Sequence, residues 1–259
     1  MKKMLSEIWS YREMVWGLVH RDLRGRYKGS ALGFLWTFIN PLLQLAVYSM
    51  VFSVILHSGI DKYYLHLFVA LIPWIFFSTS VGPGCSCILQ QSAMVTKIYF
   101  PREVLPIAFV TAAFINMILC FVVVIPVVLL SGVIPSFAAF LSLVPVMLIE
   151  YILCLGFCML FSACAVYVRD LVHIMGIVIM AWQFLTPVMY SISMVPERYL
   201  VLFHLNPMTG IIQAYRQILY YGTVPDAGSL LGSFAFSIAI LIIGVAVFEK
   251  LKIHFAEQL

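Results

Sequence analysis

The chain has 259 residues, of which 63% are hydrophobic and only 10% charged, with a formal net charge of +4 and a mean hydropathy of +1.06. These values exclude an ordinary soluble globular domain. Long runs rich in Leu, Ile, Val and Phe also exclude a transmembrane β-barrel, whose strands are segments of about 10 residues with alternating polarity. The fold class expected is therefore an all-α polytopic membrane protein.

The N-terminal segment places Leu5, Ile8, Trp9, Val15, Trp16, Val19 and Leu23 mostly at three- and four-residue steps among Lys3, Arg12, Glu13 and Arg21. That pattern predicts an interfacial helix with a cationic border over 4–28, with Trp9 and Trp16 at headgroup level. A helix in the cytoplasmic solution is the alternative. Gly25 and Gly29 allow the turn into the first span. Glu7, Arg12 and Glu13 interrupt the apolar core that a cleaved signal peptide needs, so the first span is expected to target the chain.

Crossing a bilayer core of about 30 Å takes ~20 apolar residues per helix. Six runs qualify, 34–56, 65–89, 104–130, 140–168, 171–190 and 230–248; none holds Lys or Arg, and Glu150 is their one acid. An intramembrane acid marks a functional candidate facing a partner or cavity, with His204 or Arg216 as possible partners; the bland alternative is a protonated side chain. Pro41, Pro73, Pro83, Pro126, Pro145 and Pro187 interrupt the runs, and VGPGCSC loosens the second around Gly82 to Gly84.

Between the second and third runs lies QQSAMVTKIYFPRE, 90–103, too short for a domain. Between the fifth and sixth lies a longer segment, apolar for a loop, in which Met208 to Tyr220 form a short helix after the Asn206-Pro207 break. It is too short to span, so it lies in or re-enters the outer leaflet, as a gate or as a surface hairpin.

With the N-terminus inside, Lys2, Lys3, Arg12, Arg21, Arg24, Arg26, Lys28, Lys97, Arg102, Arg169, Lys250 and Lys252 fall on the cytoplasmic side and Lys62, Arg198 and Arg216 outside. Twelve against three predicts cytoplasmic termini. The six cysteines fall inside spans without CxxC or zinc spacing and read as small buried hydrophobes. No GxxxxGK[ST], GxSxG or HExxH occurs, so no catalytic residue, metal or cofactor is assigned to the chain, and ATP hydrolysis by it is not expected.

RDLRGRYKGSALGFLWTFINPLLQLAVYSMVFS resembles the start of the permease subunits of ABC exporters for bacterial cell-surface polysaccharides. KIYFPREVLP, VYVRDL, TPVMYS and NPMTGIIQAYRQILYYG follow in the family's order and spacing. The resemblance implies a homodimer of twelve helices in the bacterial cytoplasmic (inner) membrane, docked on two separate ATPase subunits that hold ATP and Mg. The cargo it implies is a polyprenyl-diphosphate-linked glycan of O-antigen type, or a capsule or teichoic-acid chain; nucleic acid is not a partner.

It further implies lipid-diphosphate uptake at Arg21, Arg24, Arg26 and Lys28, whose guanidinium forks suit phosphate. ATPase coupling falls to Lys97, Tyr99, Arg102 and Glu103 in the 90–103 loop, and an external gate to 195–222 with Pro196, Asn206, Pro207, Tyr215 and Arg216. Phe38, Tyr48, Trp74, Phe77, Trp182 and Tyr190 are candidate channel aromatics beside Glu150. A small-molecule ABC exporter and a secondary transporter or ion channel remain as alternatives. The second would need midplane titratable groups, which only Glu150, His66 and His173 approach.

Overall fold

A computed structural model of the chain describes residues 7–25, 29–55 and 59–259. The expectations resting on 4–6, on Arg26 and Lys28, and on the last residue of the 34–56 run lie outside the described residues.

Among the described residues helices and turns are the only regular structure, without strands. A first turn at 7–10 leads into α1 (Arg12–Gly25). Next come α2 (Trp36–Ser49), extended by a π-helical turn at Met50–Ile55, and α3 (Tyr63–Val81). Two 3₁₀ turns, Pro83–Ser86 and Leu89–Gln91, connect α3 to the short α4 (Ser92–Lys97). Then follow α5 (Val104–Leu130), α6 (Phe137–Leu141), α7 (Leu143–Tyr167) and α8 (Leu171–Phe184). The chain closes with α9 (Glu197–Leu205), α10 (Pro207–Leu219), α11 (Ala227–Leu251) and α12 (Phe255–Gln258).

Among the described residues five helical stretches are long and apolar enough to cross a membrane: Gly33–Ser53, Tyr63–Ser86, Val104–Leu130, Phe137–Tyr167 and Ala227–Gln258. The expected 171–190 span is different. Its helix α8 has 14 residues, a length of about 21 Å, and the rest of the run is not helical. Pro187 supplies the physical reason, because it donates no N–H and disfavours helical geometry at Thr186.

Helix α3 is the centre of the bundle, buried from Leu65 through Trp74 and again at Phe76 and Phe77. Lipid is as apolar as a leucine core, so helices associate there through close packing rather than through exclusion of water. The tightest approach joins α7 and α11. A Cβ on Gly156 would stand 2.7 Å from the Leu241 backbone nitrogen, and one on Gly244 would overlap the Gly156 carbonyl oxygen. Only hydrogen at both positions lets the two backbones touch.

Bonds between loops fix the two ends of the bundle. At one end Lys62 Nζ donates to the Ser131 carbonyl (2.7 Å), Tyr220 Oη to the Asp61 carbonyl (2.6 Å) and Ser136 N to the Gly222 carbonyl (3.3 Å). At the other, Arg102 Nη1 donates to the Lys252 carbonyl (3.2 Å) and Tyr167 Oη to the Leu251 carbonyl (2.8 Å). Helix α5 therefore runs from the second end to the first, and α7 and α11 run back side by side in the opposite direction. The α1 helix buries Val19 against Ala108 and Ala112 of α5, near the second end.

Candidate functional site

Between α8 and α9 the chain passes in irregular form through the protein interior, beside residues of α3 and α10. Backbone at such depth must find hydrogen-bond partners within the protein. It does so residue by residue. Tyr190 Oη donates to the Phe184 carbonyl (2.5 Å), Asn206 Nδ2 to that of Leu185 (3.1 Å), and Val188 N to that of Thr186 (2.7 Å). Arg216 Nη2 donates to the Val188 carbonyl (2.7 Å), Tyr63 Oη to that of Met189 (2.7 Å), and Arg216 Nη1 to that of Tyr190 (3.4 Å).

Two of the expected gate residues, Asn206 and Arg216, thus hold this segment in place. Asn206 also caps α10, its Oδ1 accepting from Met208 N (3.1 Å) and from Trp182 Nε1 (3.1 Å), with Pro207 pre-set for the first helical position. Pro207, Tyr215 and Arg216 are buried, whereas Pro196 is exposed at the start of α9, a helix without a buried residue. Beneath α9 lies an apolar cavity of about 780 Å³, whose walls include Trp182, Tyr190, Phe203 and Phe236.

Glu150 is fully buried and accepts from Tyr215 Oη at 2.8 Å, its other oxygen being without a partner. Its partner is therefore neither of the residues expected. His204 is exposed, and Arg216 turns away to the carbonyls of His66, Val188 and Tyr190. Successive residues of a helix point about 100° apart, so Tyr215 and Arg216 serve different neighbours. Phe77 is also a packing residue, enclosed by Trp74, Phe157 and Trp182. Phe38 sits edge-on to Phe34 at 5.6 Å.

Tyr48 and Trp74 line a different feature, a groove of about 450 Å³ between α2, α3, α5 and α8. Its walls carry Asn40, Gln44, Asn116 and Gln183 together with Ser78 and Thr79. The charge-based reading of the sequence passed over these amides. A signal was present, since Asn40, Gln44 and Tyr48 recur every four residues on one face of an otherwise apolar run.

The expected coupling residues separate into two sets. Lys97 and Tyr99 are exposed at and just after the end of α4, Tyr99 almost completely. Arg102 and Glu103 turn inward instead. Glu103, 1% exposed, pairs with Lys252, which also contacts Glu249 at 2.7 Å. Burial, followed by the nearby Glu249 carboxyl, pushes the Glu103 carboxyl up, and Lys252 opposes the shift. Phe255 of α12 is buried between Tyr167 and Phe248 (ring centroids 6.4 and 5.6 Å). The short 90–103 segment is thereby tied to the far end of the chain.

At the same end Arg21 and Arg24 line an open recess of about 850 Å³ with His20, Gly25 and Phe34. Arg26 and Lys28 lie outside the described residues. Among the described residues no group of three or more His, Cys, Asp or Glu side chains is placed to hold a metal ion.

Five helical stretches long and apolar enough to cross a membrane define, among the described residues, a multi-pass membrane protein. Residues 13–220 match the ABC-2 type transporter family, and the chain belongs to that family. It is 37% identical over 262 aligned positions, spanning 100% of both chains, to the O-antigen export system permease protein RfbA of Myxococcus xanthus. To the O-antigen export system permease protein RfbA of Klebsiella pneumoniae it is 29% identical over 243 positions, 93% of each chain. Similarity to the polysialic acid transport protein KpsM of Escherichia coli is lower, 23% over 235 positions, 88% of this chain and 90% of the relative.

Proposed function

We propose that this chain is the permease subunit of an ABC exporter that moves an O-antigen-like polysaccharide, linked to a polyprenyl diphosphate, across the cytoplasmic membrane. The observation that carries the reading is the 37% identity to an O-antigen export permease along the full length of both chains. ATP and Mg belong to a separate ATPase subunit, and this chain supplies the path and the levers. Capsule export is the second reading, supported by the weaker similarity to a polysialic acid transport protein; teichoic-acid export is its close variant.

Each step rests on named groups. Arg21 and Arg24, facing one recess beside the start of α2, offer planar forks to the oxygens of a lipid diphosphate. Arg26 and Lys28 continue that border in the sequence. Lys97 and Tyr99 face the ATPase, and Arg102 and Glu103 pass its closure to the C-terminal end of α11 through Lys252. The groove holding Tyr48 and Trp74 is the polymer path, and the hairpin of α9 and α10 is its external gate.

With the excess of Lys and Arg at the α4 and α12 end, that end is cytoplasmic. Helix α8 followed by the irregular 185–191 segment completes a sixth crossing. A second copy of the chain closes the groove, because α2 is little buried and carries Asn40 and Gln44, which lipid does not solvate.

The test is export of lipid-linked glycan by cells carrying Arg24→Ala with Arg26→Ala. Other N-terminal cations preserve insertion, so the protein should be present at normal level and export should fall several-fold. Unchanged export at normal protein level would sink the uptake role.

A further inference from the structure

We propose that the groove between α2, α3, α5 and α8 selects an uncharged glycan and rejects polyanionic chains. The inference rests on the export reading above and adds to it the chemical class of the cargo.

Four carboxamides, Asn40, Gln44, Asn116 and Gln183, meet in the groove, with Trp36 and Trp74 in its walls. They come from three helices: Asn40 and Gln44 from α2, Asn116 from α5 and Gln183 from α8. No Asp, Glu, Lys, Arg or His is among the described residues that line it. Amides at this depth are costly unless they find partners, and the Asn116 side-chain oxygen is buried without one. The site therefore presents unspent hydrogen-bonding capacity to whatever fills it.

A sugar hydroxyl is both donor and acceptor, and so is a carboxamide, which makes the match independent of the orientation of each passing residue. The half-buried Trp36 ring, with the buried Trp74 behind the wall, adds contact with the apolar C–H face of a pyranose without fixing its register. Such a lining lets a neutral chain exchange one set of bonds for the next as it moves.

A chain bearing a carboxylate or phosphate on each unit meets the opposite condition. Within a low-dielectric wall each anion loses its water and gains no cation, a penalty that neutral amides offset only in part. Cations do occur in the protein, but on the two ends: Arg21 and Arg24 in the recess beside α2, Lys62 at the opposite end, and Arg216 engaged by backbone carbonyls. Diphosphate recognition and chain passage are thus divided between a cationic border and a neutral groove.

The test uses inside-out membrane vesicles containing the full permease with its ATPase partner. They receive either polyprenyl-diphosphate-linked polymannose or the same lipid bearing polysialic acid. ATP-dependent protection of the chain from added glycosidase measures passage. The expected result is protection of polymannose at least about tenfold above that of polysialic acid.

A second arm uses Gln44→Lys and Gln183→Lys separately, each expected to narrow or reverse the preference in favour of polysialic acid. Assembly is checked by co-purification of the ATPase. Equal passage of both chains, or a preference for polysialic acid in the unaltered protein, would overturn the inference and leave the export reading standing. Passage of neither chain by an assembled complex that hydrolyses ATP would overturn the export reading, and this inference with it.

Discussion

Arg216 is a buried cation whose hydrogen bonds among the described residues go to backbone carbonyls, those of His66, Val188 and Tyr190. It substitutes for the helical N–H groups that the irregular 185–191 segment does not have. Replacing it with Met leaves three carbonyls without this donor. We expect a loss of about 3 kcal/mol in the stability of the purified protein, since a buried polar group left unpaired costs ~1–3 kcal/mol and such terms do not simply add. Thermal unfolding in nanodiscs measures it, and Arg216→Lys should recover only part because an ammonium lacks the fork. A melting curve indistinguishable from the unaltered protein would refute this role.

Part of this residue-scale picture was legible in the sequence. Asn206-Pro207 announces a helix start, because Asn caps and Pro tolerates the first position, and Glu150 stands out as the one acid in an apolar run. The partner of Glu150 was not legible, since whether Tyr215 or Arg216 reaches it depends on the rotation of α10 about its own axis. The amides of the groove were missed for a different reason: attention to charge ignores neutral polar side chains, although their four-residue spacing marks a helix face.

At the scale of elements, two contacts carry the strongest expectations. Gly156 and Gly244 allow α7 and α11 to touch, so Gly244→Leu should separate the helices and destabilise the protein by several kcal/mol, an overpacking penalty larger than the usual ~1–3 kcal/mol because backbone is the obstacle. Protease sensitivity and melting temperature report it; wild-type behaviour of both would refute the close packing.

The second contact joins Glu103 to Lys252, beside Arg102 on the Lys252 carbonyl. Glu103→Lys should lower the response of the partner ATPase to substrate while leaving ATP binding intact. Adding Lys252→Glu should restore much of the response if the pair acts as a link. A double variant no better than the single one would show that the pair is not the lever.

Hydropathy located the long helices well because each must fill about 30 Å of hydrocarbon. The fifth run escaped it. An apolar stretch predicts burial in lipid or protein without specifying helix, and Pro187 together with distant donors on α3 and α10 decides that 185–191 is irregular. The C-terminal turn α12 was also hidden, because its buried Phe255 stands in a short tail, KIHFAEQL, whose mixed polarity marks no face.

For the whole molecule, α2 is the least buried of the long apolar helices, and its exposed residues include Leu43 and Val47. If two copies enclose the groove along this helix, single cysteines at Leu43 or Val47 should crosslink between subunits in native membranes, whereas a cysteine at exposed Leu205 on α9 should do so much less. Equal crosslinking at the two places would count against an α2 interface. The arrangement would set two cationic borders on the cytoplasmic face and two hairpin gates outside, with neutral walls between them.

The central claim, ATP-driven export of a lipid-linked glycan through this subunit, is tested most directly in vesicles holding the purified permease and its ATPase partner. The chain should become protected from externally added glycosidase when ATP is supplied and stay accessible with a non-hydrolysable analogue. A complex that assembles and hydrolyses ATP, yet leaves the glycan equally accessible in both conditions, would contradict the account.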